Sequence, residues 1–116
     1  MVTDSMYVQD IQQEFQKSFA FLKIEFFKNS VKNENNTMRS SPISGKMLVG
    51  NVRHIHVDGS VDIDESRSVI ELENDFLNSY GLLAQVFRKS GSMWIETTLT
   101  DHWSLQRQNE EGRQMS

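Results

Sequence analysis

The sequence predicts an α+β two-layer sandwich, with two helices on one face of a mostly antiparallel sheet of about five strands. Three observations carry this. Apolar residues recur at helical spacing in two stretches, Val8–Ile11–Phe15–Phe19 and Val69–Leu72–Phe76–Tyr80. Each stretch runs into a strand-like segment, "FLKIEFFK" or "LLAQVFRK". The two helix–strand stretches also resemble one another. Aligned 61 positions apart, they match at Ser5/Ser66, Val8/Val69, Phe15/Phe76, Ser18/Ser79, Leu22/Leu83, Phe26/Phe87 and Lys28/Lys89. This is tighter than helical periodicity requires and points to an internal pseudo-repeat, although any amphipathic helix feeding a strand shares part of the pattern. Two like halves around one sheet favour a ferredoxin-like arrangement; a β-grasp-like one, with a helix crossing a mixed sheet, is the alternative.

The first helix is expected from about Met6 to Phe19, capped by Asp4 or Ser5. In the strand after it, Leu22, Ile24 and Phe26 alternate with Lys23, Glu25 and Phe27. Residues 29–46 are rich in Asn and Ser, hold the only proline (Pro42) and read as a mobile loop. "MLVGNVRHIHVDGSVDID", Met47 to Asp64, reads as a hairpin around Asp58-Gly59. A three-residue loop there would bury Ile55, Val57, Val61 and Ile63 together and set His54 and His56 on the opposite face with Asp62 and Asp64. Ser68 and Glu71 form a capping box for the second helix, and Gly81 stops it. The strands "LLAQVFRK" and "SMWIETTL" then flank a Ser90-Gly91 turn. Asp101 is the expected cap of a last short helix anchored by Trp103 and Leu105, with a tail that frays from about Gly112.

At 116 residues the chain is expected to be a single domain. Its 37% hydrophobic and 24% charged content belongs to globular rather than disordered chains. A net charge of −4 argues against a nucleic-acid partner, which needs a basic footprint. With no cysteine there is no disulfide framework or thiolate metal site. The chain has no apolar run of membrane-spanning length, and acids stand where a signal peptide carries bases, so the expected location is the cytoplasm.

The second half carries V-x-E-L-E-x-x-F at Val69 to Phe76, V-F-R-K-S-G at Val86 to Gly91, W-x-E-T at Trp94 to Thr97, and T-D-x-W-S-L-x-x-Q-N at Thr100 to Asn109. In these motifs it resembles a group of small bacterial proteins with no assigned activity. The resemblance covers roughly Val69 to Gly112 and implies membership without implying a function.

Three constellations are candidates for chemistry. "HIHVDG" begins like the H-x-H-x-D of metallo-β-lactamase-like hydrolases, but its sixth position is Gly59 and the chain is far too short for that fold. His54, His56, Asp62 and Asp64 could still hold zinc or another divalent ion on a hairpin face; against this stands the ordinary solvated face of charged cross-strand pairs. "FRKSG" beside Trp94 and Trp103 offers Arg88 and Lys89 with aromatics for an anion or a base, with Lys28 as the counterpart in the first half. Tryptophans that pack the last helix onto the sheet are the plainer explanation. "WIETTLTD" supplies Glu96 and Asp101, but no activated nucleophile or phosphate-binding loop accompanies them, and no catalytic residue or cofactor is assigned.

The expected function is therefore a non-enzymatic binding or self-association module, with Phe27, Phe87, Arg88, Lys89, Trp94 and Trp103 as contact residues and the chain itself or another protein as partner. A metal-binding protein and a nucleic-acid binder are the alternatives; no membrane partner is expected.

Overall fold

A computed structural model of the chain describes residues 3–27, 42–52 and 61–116. The elements run α1 (Val8–Ser18), β1 (Leu22–Phe27), α2 (Val49–Val52), α3 (Val69–Tyr80), β2 (Leu83–Ser90), β3 (Met93–Glu96), a short 3-10 turn (Thr98–Thr100) and α4 (Leu105–Met115). The strands form one antiparallel sheet in the order β1-β2-β3. The protein is thus α+β, and among the described residues the sheet has three strands rather than five.

In the stretch from Met47 to Asp64, expected as a hairpin, Val49–Val52 is helical and residues 61–64 are irregular. The Asp58-Gly59 turn, Ile55, Val57, His54 and His56 lie outside the described residues. Val49 N–H donates to the Met6 carbonyl (2.8 Å) and Gly50 N–H to the Asp4 carbonyl (3.0 Å). Those amides serve the start of a helix and not a strand ladder.

The same arrangement recurs at the start of each helix. A turn leads to one residue held in an isolated antiparallel bridge, and the helix follows. Tyr7 bridges Leu48, joining the starts of α1 and α2, and Ser68 bridges Ser104, joining those of α3 and α4. The bonds are reciprocal. Val8 N–H reaches the Met47 carbonyl (2.9 Å) and Gln9 N–H that of Gly45 (2.9 Å). In the second half Val69 N–H reaches Trp103 (3.1 Å) and Ile70 N–H Asp101 (2.9 Å), while Leu105 N–H reaches Arg67 (2.8 Å) and Gln106 N–H Glu65 (2.9 Å). The first amides of a helix have no partner within it; here each helix start is satisfied by the turn before another.

The caps follow from this. Asp4 and Ser5 lie in the turn before α1, whose N-cap is Tyr7 with its N–H on Asp10 Oδ2 (2.8 Å). Asp101 likewise gives its carbonyl to Ile70, and Ser104 caps α4 by accepting from Arg107 N–H (3.1 Å). The expected Ser68–Glu71 box is present, and Gly81 ends α3 in the left-handed region (φ 67°). The tail expected to fray from Gly112 is helical to Met115, and Gly112 itself is buried.

The core lies between the helices and one face of the sheet. Val8, Ile11 and Phe15 of α1, Val69, Leu72, Phe76 and Tyr80 of α3, and Leu105 of α4 close over Leu22, Ile24, Phe26 and Val86. Phe26 and Phe76 meet edge to face, with centroids 4.9 Å apart. Phe15 and Phe76, matched in the sequence repeat, are equally buried.

The strand matches behave differently. Leu22 and Phe26 face the core, whereas Leu83 and Phe87 pair with Phe27 and Lys23 on the other face. The link from α1 to its strand is one residue longer than the link from α3: after Phe19 the next core residue is Leu22, but after Tyr80 it is Leu82. One residue of offset exchanges the faces of a strand. The ungapped alignment therefore holds for the helices and reverses the strands.

Candidate binding surface

Alternation along a strand sends neighbouring side chains to opposite faces, which divides the six expected contact residues. Lys23 pairs with Phe87, Lys89 with Trp94, and Phe87 with Glu96, all on the face turned away from the helical core. The Lys23 ammonium stands 5.3 Å from the ring centroids of both Phe87 and Trp94. Lys89 stands 5.1 Å from the Trp94 centroid on the neighbouring strand. The two rings and two lysines thus form one patch, each of the four half-buried. Glu25 adds a carboxylate 3.8 Å from Lys23, and Glu96 is exposed beside Phe87. Phe27 lies on the same face but at its far end, paired with Leu83, bridged to Pro42 and buried.

Arg88 and Trp103 belong to a second cluster, under α4. Arg88 Nη1 donates to Gln108 Oε1 (2.8 Å), and Gln108 Nε2 donates to the Thr100 carbonyl (2.7 Å) and hydroxyl (2.9 Å). Trp103 is flanked by two guanidinium groups, Arg107 at 3.7 Å and Arg88 at 5.6 Å from its centroid. Arg88 Nε is buried without a hydrogen bond among the described residues, so Gln108 and the face of Trp103 together answer its charge. This cluster ties α4 to the sheet. Arg88 and Lys89, adjacent in sequence, do not share a surface, and Lys28 lies outside the described residues.

Asp62 and Asp64 are exposed in the turn before α3. Asp62 Oδ1 accepts from Asp64 N–H (2.9 Å), and Asp64 Oδ1 accepts from the N–H (2.8 Å) and hydroxyl (2.6 Å) of Ser66. The Ser66 hydroxyl, and then its amide, hold the Asp64 carboxyl below the ordinary carboxylate range. Arg67 secures the turn by donating to the Asp62 carbonyl (2.9 Å) and pairing with Asp75 (2.5 Å). Among the described residues, no group of three or more His, Cys, Asp or Glu side chains is placed to hold a metal ion; His54 and His56 are outside them. A recess of about 220 Å³ lies between α1, α3 and Ile24, with Val61 and Ile63 as one wall and Glu14 as its only charged group among the described residues.

Lys23 and Arg107 were not among the expected contact residues. The alternation in "LKIEFF" shows that Lys23 faces away from the core, but its aromatic neighbours follow only from the register of β1 on β2. Arg107 stands in the first turn of α4 and Trp103 precedes the cap, so helical spacing alone does not pair them. Among the described residues no helix is long and apolar enough to cross a membrane. No protein-family model, no curated protein and no solved structure matches this chain.

Proposed function

We propose that this chain is a non-enzymatic binding module that engages its partner through the outer face of the three-stranded sheet and its β3 edge. The observation that carries this is the patch of Phe87 and Trp94 framed by Lys23 and Lys89 on the side away from the core. Aromatic side chains are enriched in protein contact surfaces, and polar groups such as these lysines form the rim around them. The same face carries Glu25 and Glu96, and this balance of two lysines and two carboxylates suits a protein surface better than a phosphate backbone, which selects for cations. The cytoplasm and the group with the motifs of Val69 to Asn109 remain part of this proposal.

A photoreactive side chain at position 94, with a control at exposed Gln16 on α1, tests it in cells that make the protein. The expected result is a discrete covalent adduct, identified by mass, from position 94 and none from position 16. Equal adducts from both positions, or none from 94, would contradict the reading.

A further inference from the structure

β3 is the last strand of the sheet, and no strand lies along its far edge among the described residues. Which groups face that edge follows from two bonds. Thr97 N–H donates to the Val86 carbonyl (3.2 Å), whereas Lys89 N–H turns to the Phe21 carbonyl beside β1 (2.9 Å). Across β2 and β3, Arg88 pairs with Ile95 and Lys89 with Trp94. Antiparallel pairs alternate between hydrogen-bonded and non-bonded. Ile95, two residues before Thr97, therefore commits its backbone groups to β2, and Trp94 and Glu96 direct theirs outward. Natural edges are usually guarded by proline, lysine or a bulge; "MWIE" has neither proline nor lysine. Met93 is 66% exposed and Ile95 37%, and Leu99, just beyond, is 94% exposed.

We propose that β3 pairs antiparallel with β3 of a second copy of this chain about a two-fold axis at Ile95, making one continuous sheet from two three-stranded ones. This rests on the binding-module reading and names its partner. A two-fold axis perpendicular to the sheet keeps both faces continuous only if a residue meets its own counterpart. With Trp94 at the axis, each indole would face its copy with a lysine behind it, and Glu96 would fall opposite Ser92 of the turn. With Ile95 at the axis, Trp94 lies opposite Glu96 of the second copy. The row across the outer face then reads Lys23, Phe87 and Glu96, followed by Trp94 and Lys89 of the second copy. A carboxylate comes between the lysines of the two copies, and opposite charges across strands favour a pairing as like charges oppose it. On the helical side Ile95 meets its counterpart. Trp94 and Glu96 exchange backbone hydrogen bonds, twice by symmetry. The edge is its own complement, the requirement of an isologous contact.

The chain has no cysteine, so introduced thiols report the register without background. Ile95 at the axis is a non-bonded pair, with Cα atoms about 4.5 Å apart, within disulfide reach. The wild-type chain is expected to sediment at twice its chain mass. Ile95→Cys should form an interchain disulfide under mild oxidation. Trp94→Cys alone should not, whereas Trp94→Cys mixed with Glu96→Cys should. Glu96→Lys should shift the chain to monomer with its circular dichroism unchanged. A monomer at every concentration, cross-linking at 94 but not 95, or a dimer indifferent to Glu96→Lys would overturn the proposal. A monomer whose photoreactive position 94 captures a different protein would overturn the second copy and leave the open-face reading standing; a monomer that captures nothing there would overturn both.

Discussion

The Lys23 ammonium lies 5.3 Å from the centre of the Trp94 ring although the two residues stand on strands that do not touch, β1 and β3. Phe87, on the strand between them, is at the same distance. If this face is an open surface, the lysine contributes little to folding. Lys23→Met is expected to lower stability by under about 1 kcal/mol, as for an exposed cation–π contact, measured by urea unfolding. A loss of several kcal/mol would mean that the face is part of the core.

Gly112 lies inside α4 where the helix crosses the end of the sheet. A methyl there would stand 2.9 Å from both Cβ and the carbonyl oxygen of Phe21 and 3.1 Å from Arg88 Cγ. Helix propensity favours alanine by about 1 kcal/mol, but a backbone carbonyl yields only if the helix moves. Gly112→Ala should therefore destabilise by about 1–2 kcal/mol net, seen as a lower melting temperature. A rise would show that α4 is loosely seated.

Gln108, fully buried, holds Arg88 on one side and Thr100 on the other. Gln108→Ala leaves a cavity and removes the bonds that Gln108 makes to Arg88 and Thr100, and a loss of about 2–4 kcal/mol is expected. Combining it with Arg88→Met should cost less than the sum of the single changes, because the unpaired guanidinium is then removed. Additive losses would separate the two residues energetically.

Folding lowers the pKa of Glu71, chiefly through the Ser68 N–H and then its hydroxyl, and of Asp64 through Ser66. The unfolded state thus binds more protons in the carboxylate range, and stability rises with pH there. The contribution is fully present above the unfolded values and is lost as pH falls through the lowered folded ones. Glu71→Gln and Asp64→Asn should lower the urea midpoint at neutral pH and converge with the wild type in strong acid. Ser68→Ala should cost about 1 kcal/mol at neutral pH.

The sequence shows most clearly what depends on local periodicity. Val8, Ile11 and Phe15 mark the buried stripe of α1, Val69, Leu72 and Phe76 that of α3, and Ser68 with Glu71 marks a start that needs nothing distant. The starts of α1 and α4 differ from what local sequence predicts because their amides are satisfied across the chain: Gly45 and Met47 serve α1, and Glu65 and Arg67 serve α4. The same long-range bonding makes a helix of "VGNV", which the Asp58-Gly59 turn signal places in a hairpin strand. Of the expected contact residues, Phe87, Lys89 and Trp94 do meet, since a hairpin fixes which of its residues oppose. Arg88 is adjacent to Lys89 in sequence, but alternation sends it to the other face, where Trp103 lies with it under α4. The neighbours of Lys23 depend on the register between strands that α2 and α3 separate in the chain.

Hydrogen exchange at β3 tests the central claim most directly, that this edge is where the chain meets its partner. In the β3–β3 pairing the Trp94 and Glu96 amides are bonded to the second copy, while the Ile95 amide is bonded to β2 at any concentration. The account predicts that exchange at Trp94 and Glu96 slows as protein concentration rises, with Ile95 protected throughout. Fast exchange at Trp94 and Glu96 at every concentration would contradict it.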